Sequence, residues 1–325
     1  MQVFAKDETS QSLISYPGDS SLYVDPGSRT LLVIDPTGKV GRVMAIPRPQ
    51  DTPFLSYALT YGNPAIDKKG RILYRGVTTP RMPNFFSKYV FPIESDSAPI
   101  IRADFETRKV DTIARIHALE PNKIDVVENP NGVPMITMTV NPLVTIDQWA
   151  QLTDGTIAIV RAKDYHIDWI DIDGTHRSTA KMPFDWLLLS DDAKKKKVDS
   201  LLLVMADNPN AREADIQVQT TGGTPVRGRR KFAVKAARDL PDYESALTFG
   251  ALTADLENHL WILPRTSKDA SSEGLVYDVV SKDGKVVERV RLPKSRLLAG
   301  FGPNGAVYMI KVDGDRRFLE QTQIR

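Results

Sequence analysis

Asp67, Asp154 and Asp255 each stand a few residues ahead of a short apolar run, and His259 follows Asp255 with Glu257 between them. If those runs are strands grouped about one axis, the three carboxylates form a ring of oxygen ligands suited to a divalent cation such as Ca2+. His259 with Glu257 or Asp255 offers a second chemistry, proton transfer at a channel entrance, which a hydrolase or a lyase would use. Both features have a plainer reading. Aspartate forms turns by accepting hydrogen bonds from its own downstream amides, and a histidine in such a turn need do nothing further. His117, His166 and His176 have no partner three or four residues away, so no helical pair of metal ligands exists.

Four tryptophans add a binding chemistry. Trp149, Trp169, Trp186 and Trp261 could stack a sugar or an aromatic ligand, with Trp149 and Trp261 beside Asp154 and Asp67 as the ligand-binding set. Large aromatics inside strands also fill the space between sheets, which competes with that role. The basic runs at 194–197 and 227–231 are either phosphate contacts or solvated faces. No GxSxG, HExxH, Walker or GxGxxG motif occurs, and Asp171 to Gly174 falls far short of a calcium-binding loop.

The elements that would position these residues are short strands. Thr156 to Arg161 is a β-rich run opened by Asp154-Gly155, and Tyr165, Ile167 and Trp169 alternate with polar residues, as in a strand with one buried face. Asp173-Gly174 then reverses the chain, because Gly takes positive φ without steric cost. Pro183 ends the next strand, having no N–H for a ladder. The same device recurs twice. Gly38, Gly174 and Gly284 each sit nine residues before a proline, at Pro47, Pro183 and Pro293. Repeated antiparallel units at this spacing predict radial repetition, the blades of a propeller, each burying its faces against its neighbours.

Read in order, QVFA and SLISY near the start predict the remainder of a blade completed by the C-terminus, since closure removes open edges. Blade one is Gly18 to Pro47. Blade two starts near Tyr57 and Leu59, passes RILYRGV, is interrupted by a proline-rich detour from 78 to 99, resumes around Thr107-Arg108 and is closed by GVPMITMTV. Blade three spans Trp149 to Pro183. Within an insertion at 187–209, Ser190 caps a helix near 190–206 whose Val198, Leu201, Leu202 and Met205 share a face. The strands on either side of Gly222-Gly223 predict the outer part of a fourth blade. The expectation is one all-β domain over residues 1–325, a six-bladed β-propeller with five blades also open, carrying one inserted amphipathic helix.

The 325 residues carry 43 basic and 41 acidic side chains, a net charge of +2 that points to no nucleic-acid partner. Cysteine is absent, which excludes disulfides and thiolate chemistry, and no apolar run is long enough to span a bilayer. The first residues lack the basic start and apolar core of a signal peptide.

The Tyr165 to Gly174 hairpin, the aromatic ahead of Asp154-Gly155, LPDY before LWIL and GFGPNGAVYMI near the end together resemble the bacterial six-bladed β-propellers of the NHL/TolB-like group. The resemblance runs from about Gly18 to Arg325 and specifies fold better than activity. It implies a binding or interaction module with a small molecule or a protein at one end of its channel, in a periplasmic or extracellular setting, with a cytoplasmic one left open by the absence of a signal peptide from the first residues. The alternative is a channel-site enzyme, a metal-assisted hydrolase or a lyase.

Overall fold

Each glycine turn joins the third and fourth strands of a four-stranded antiparallel sheet. A computed structural model describes residues 13–56, 62–77, 81–86, 88–93, 95–118, 122–266 and 273–323. The first sheet is β1 (Leu13–Tyr16), β2 (Ser20–Asp25), β3 (Thr30–Ile34) and β4 (Val40–Ala45), in that order in space. A short helix, α1 (Thr52–Ser56), leads to β5 (Ala65–Ile66) and β6 (Ile72–Arg75). The chain then leaves for a hairpin, β7 (Arg81–Phe86) and β8 (Tyr89–Ile93), and returns as β9 (Ser97–Ala103) and β10 (Val110–His117). The second sheet is therefore β5-β6-β9-β10.

A second excursion, β11 (Lys123–Glu128) and β12 (Pro134–Val140), precedes the third sheet, β13 (Gln148–Gln151), β14 (Ile157–Arg161), β15 (His166–Ile170) and β16 (His176–Ser178). A third excursion comprises helix α2 (Asp191–Asp207), β17 (Ala214–Thr220) and β18 (Val226–Val234). The fourth sheet is β19 (Leu252–Ala254), β20 (Leu260–Ile262), β21 (Val276–Val280) and β22 (Val286–Arg291), and the fifth is β23 (Arg296–Gly302), β24 (Ala306–Asp313) and β25 (Arg316–Gln323). Gly38, Gly174 and Gly284 have φ of 85°, 91° and 79°, the conformation their turns demand.

Packing follows chain order. Leu22 and Leu31 of the first sheet share a core with Tyr74 of the second. Ile100 of the second packs with Trp149 of the third. Trp169 of the third, Trp261 of the fourth and Val307 of the fifth lie in one continuous cluster. The sheets thus stack face to face in succession, the arrangement of β-propeller blades.

The three excursions meet outside this stack as one six-stranded sheet, β11-β12-β18-β17-β8-β7. Its β12 and β18 run parallel, and every other pair is antiparallel. Ile124, Val126, Ile136, Met138, Ile216 and Val218 alternate along their strands and pack with Tyr89 and Phe91. Each hairpin alone would expose two edges, and joining them covers four of the six.

Several expectations change accordingly. The proline-rich detour contains a hairpin, because its prolines fall where the strands need no ladder donor. GVPMITMTV pairs with KIDVVE and β18 and does not close blade two, and β17 and β18 belong to the joined sheet and not to a blade. SLISY supplies β1, the first strand of the first sheet, while QVFA, Tyr57 and Leu59 lie outside the described residues. Among the described residues five sheets stack as blades, and the sixth sheet is the joined one. The helix starts at the expected Ser190, whose hydroxyl accepts from the Ala193 amide at 3.2 Å. The expected face is borne out in part: Val198, Leu201 and Met205 are half-buried, with Val198 packed against Leu143, Leu189 and Leu240, whereas Leu202 is exposed and Lys194 is the buried residue.

Gly228 of β18 shows how closely the excursions are joined. A Cβ there would lie 2.7 Å from Val218 Cγ2 and 3.0 Å from the Pro134 carbonyl oxygen. Gly228→Val is expected to cost about 1–3 kcal/mol through overpacking, whereas Gly41→Val, with nothing within 4 Å of its Cβ, is expected to be tolerated. Urea unfolding of the two variants measures the difference.

Candidate functional site

In a four-stranded antiparallel blade the connections after strands two and four leave from the same end. The first excursion follows the second strand of its blade, and the other two follow fourth strands, so all three emerge at one end of the stack. We call this the joined end. The expected carboxylates lie on connections between strands one and two, at the opposite end.

There each carboxylate is occupied by its own turn. Asp67 Oδ1 accepts from the amides of Lys69 (2.9 Å) and Arg71 (3.0 Å), and its Oδ2 lies 2.7 Å from Arg71 Nη2. Asp154 accepts from the Thr156 amide and pairs with Lys282. Asp255 accepts from the amides of Glu257 (2.9 Å) and His259 (2.8 Å), and its second oxygen takes the Trp261 indole N–H at 3.0 Å and faces His259 Nδ1 at 3.2 Å. His259 is thus brought to Asp255, while Glu257 is tied to it only through its amide. The three carboxylates form no shared oxygen cage, and among the described residues no three of His, Asp and Glu converge as a metal site. Trp149 and Trp261 are 1% and 3% exposed. The Gly62 backbone lies over the Trp149 ring so closely that a Cβ would fall 2.2 Å from Nε1, and Trp261 packs against Phe301 at 4.8 Å. Both indoles are filled by protein, as wedges between blades.

The joined end gathers buried charge instead. Asp51, fully buried, accepts from the Tyr74 hydroxyl and the Val77 amide, both at 3.0 Å, and pairs with Arg48 at 3.0 Å. Burial, reinforced by the Asp51 charge, pushes the Tyr74 hydroxyl far above its ordinary range. Glu244, 2% exposed, lies 2.5 Å from Lys197 of α2 and 3.6 Å from Arg265. Lys194 reaches Asp242 at 2.7 Å, so two lysines of the basic run face inward against the expectation of a solvated face. A helix that must sit on acidic loops turns its cations toward them.

The densest network belongs to the third blade. Asp147 accepts from the His117 amide (2.8 Å), the Ala162 amide (3.0 Å) and Arg161 Nη1 (2.7 Å). Arg161 Nε reaches Asp168 at 2.7 Å, and Ser178 donates to the other Asp168 oxygen at 2.5 Å. That oxygen lies 3.3 Å from His166 Nε2, and His166 Nδ1 lies 2.7 Å from Asp164. Burial alone would raise the Asp168 carboxyl, but the Ser178 and Arg161 hydrogen bonds outweigh it and hold it below its ordinary value. Burial likewise opposes the Arg161 charge, and its two carboxylates more than restore it. His166 and Asp168 alternate on β15 and so share a face, and Asp164 joins them from the preceding turn, where Tyr165 has φ of 52°.

Beside this network is a cavity of about 380 Å³. Lys163 of the β14–β15 turn forms one wall, the β12–β13 connection with Leu143 and Thr145 a second, and the β18–β19 connection with Lys235, Arg238 and Leu240 a third.

A scan against protein-family models finds no match, and a search of curated proteins finds none. Solved structures similar in fold include a gluconolactonase from Xanthomonas campestris, at 12% identity over 95% of this chain and 84% of that one, with a TM-score of 0.31. A member of the duf4221 family from Bacteroides vulgatus is 10% identical over 94% of this chain and 76% of that one, with a TM-score of 0.40. TolB from Acinetobacter baumannii is 13% identical over 94% of this chain and 60% of its own, with a TM-score of 0.34. The chain is a β-propeller on the stacking of its own sheets. Among the described residues no helix is long and apolar enough to cross a membrane.

Asp147→Asn is expected to cost about 2 kcal/mol, because it leaves Arg161 short of one charge partner in a half-buried setting. Asp168 acts on pH. Its native value is depressed, so the stability it contributes is whole above about pH 3.9 and is lost as pH falls below that through the lower native value. Acid unfolding followed by circular dichroism is expected to fall less steeply in that window for Asp168→Asn than for the parent.

Proposed function

We propose that the chain, as one domain over residues 1–325, is a binding propeller that seats a small molecule at its joined end. The observation that carries this reading is the convergence of three separate insertions, from two blades, on the one end that also holds an open cavity of about 380 Å³. That volume suits a small ligand. Lining by connecting segments favours binding, since connections vary freely while the blades hold them in place. A location outside the cytoplasm, implied by the resemblance to NHL/TolB-like propellers, belongs to the same proposal.

Catalysis is the second reading, and His166 favours it. A histidine between two carboxylates can be held in one tautomer and exchange a proton, the duty of a general acid or base in a hydrolase or a lyase. Its position on the third strand of a blade supports chemistry at the joined end and not in the channel. His259 with Asp255 and Glu257 supports the channel placement less well, since the Asp255 carboxylate is shared among four donors.

Affinity selection of a mixed small-molecule library with mass-spectrometric readout tests the location. Thr145→Trp fills the cavity irrespective of ligand charge, and Leu256→Trp adds the same bulk at the opposite end. Retained compounds are expected to be lost with Thr145→Trp and kept with Leu256→Trp. The reverse pattern overturns the reading.

A further inference from the structure

We infer that the cavity at the joined end is an anion site that takes a small molecule bearing at least two negative charges, a polyphosphate or a polycarboxylate. The inference rests on the proposed binding role of this end and names the class of ligand. Lys163, Lys235 and Arg238 line the cavity from two different connections, against one carboxylate, Asp239. Asp239 is a poor counter-ion, since its oxygen lies 3.9 Å from Arg238 Nε and both side chains are largely exposed.

Several half-buried cations elsewhere in the molecule are held by carboxylates. Arg161 has Asp147 and Asp168, Lys197 and Arg265 share Glu244, Arg71 and Arg102 share Asp67, and Arg296 has Glu320. Among the described residues the half-buried Lys235 and the exposed Lys163 form no ion pair with a carboxylate. Like charges brought to one cavity repel, and an anion placed between them turns that repulsion into attraction. Lys235 is half-buried and its amide is fixed to the Val140 carbonyl at 2.9 Å, which ties one cation to the joined sheet. Lys163 sits in the turn fixed by the Tyr165 amide on the Arg161 carbonyl at 3.0 Å, which ties another to the third blade. The scaffold therefore sets where the two backbones stand, and the long side chains span the rest. Thr145 offers a hydroxyl to the ligand, and the buried Leu143 and Leu240 offer an apolar floor for its carbon skeleton. The requirement for two or more charges follows from cations supplied by two separate connections.

Inorganic pyrophosphate and citrate are the probes, titrated calorimetrically into the full chain at constant ionic strength, with neutral glucose as the control. Saturable binding of either anion, weakened about tenfold or more in the Lys163→Met/Lys235→Met double variant and unchanged in Lys282→Met at the opposite end, is the expected result. Equal weak binding to parent and both variants means general charge screening and overturns the inference. So does an absence of anion binding together with retention of neutral compounds that Thr145→Trp abolishes, a result that leaves the proposed function standing. Loss of library retention at both ends would overturn the two readings together. Unchanged thermal unfolding of the double variant excludes misfolding as the cause of a lost signal.

Discussion

An antiparallel blade with an even number of strands sends its even-numbered connections out of one end, and this constraint decides where everything else in the molecule can go. An insertion after strand two of one blade and insertions after strand four of that blade and the next are separated by up to a hundred residues, yet the alternation of strand direction delivers them to the same place. Once there, each hairpin carries two unsatisfied backbone edges. Pairing β17 with β8 and β12 with β18 resolves most of them and builds a sheet that no single insertion could form. The parallel pairing of β12 with β18 is a consequence of their independent origin: strands arriving from different blades have no hairpin to impose antiparallel order.

The same end has to solve an electrostatic problem. Connections entering a blade bring Asp51, Asp147 and Glu244 into nearly complete burial, where an unpaired carboxylate would be costly. Each is met by cations or amides from the neighbouring connection: Arg48 with the Val77 amide, Arg161 with the Ala162 amide, Lys197 with Arg265. These contacts fix the entry of one blade to the turn of the same blade and so set the distance between the connections that wall the cavity. Ion pairs that tie the connections together limit their freedom, and a site ordered in advance loses less entropy on binding. Lys163 and Lys235 stand outside that balance, which is why their placement is informative.

The hairpin punctuation was legible because it is local. Gly38, Gly174 and Gly284 declare positive φ within a few residues of the proline that ends the next strand, and no tertiary contact is needed to read them. The cap of α2 at Ser190 was legible for the same reason. What lay beyond reach was partner choice. PMITMTV reads as a strand whether it joins a blade or leaves it, since alternation specifies a buried face and says nothing of which sheet covers it. The face of α2 was legible in part: Val198, Leu201 and Met205 do share its half-buried side, but the pairing of Lys194 and Lys197 with Asp242 and Glu244, far away in sequence, cannot be read from helical spacing. The alternation of Tyr165, Ile167 and Trp169 left His166 and Asp168 on the other face of their strand, with Asp164 just ahead of it. Their joining to Arg161 and Asp147 depended on the register of β14 with β15, which pairs Arg161 with His166.

At the opposite end Asp154 and Asp255 serve the joining of blades and turns. Asn258 accepts from the Thr153 hydroxyl at 2.7 Å and from the Asp154 amide at 3.0 Å, and Lys282 pairs with Asp154 while its carbonyl accepts from Arg177 at 3.3 Å. All of these bridge the third blade to the fourth. Asp154 therefore holds neighbouring blades in angular register, and Asp255 does the corresponding work within its own blade by fixing the turn, His259 and Trp261 at once. An end committed to such bridges has few unspent donors or acceptors to offer a ligand. The joined end differs because its connections are long enough to build a second sheet, and Lys163 and Lys235, from separate connections, line the same cavity there.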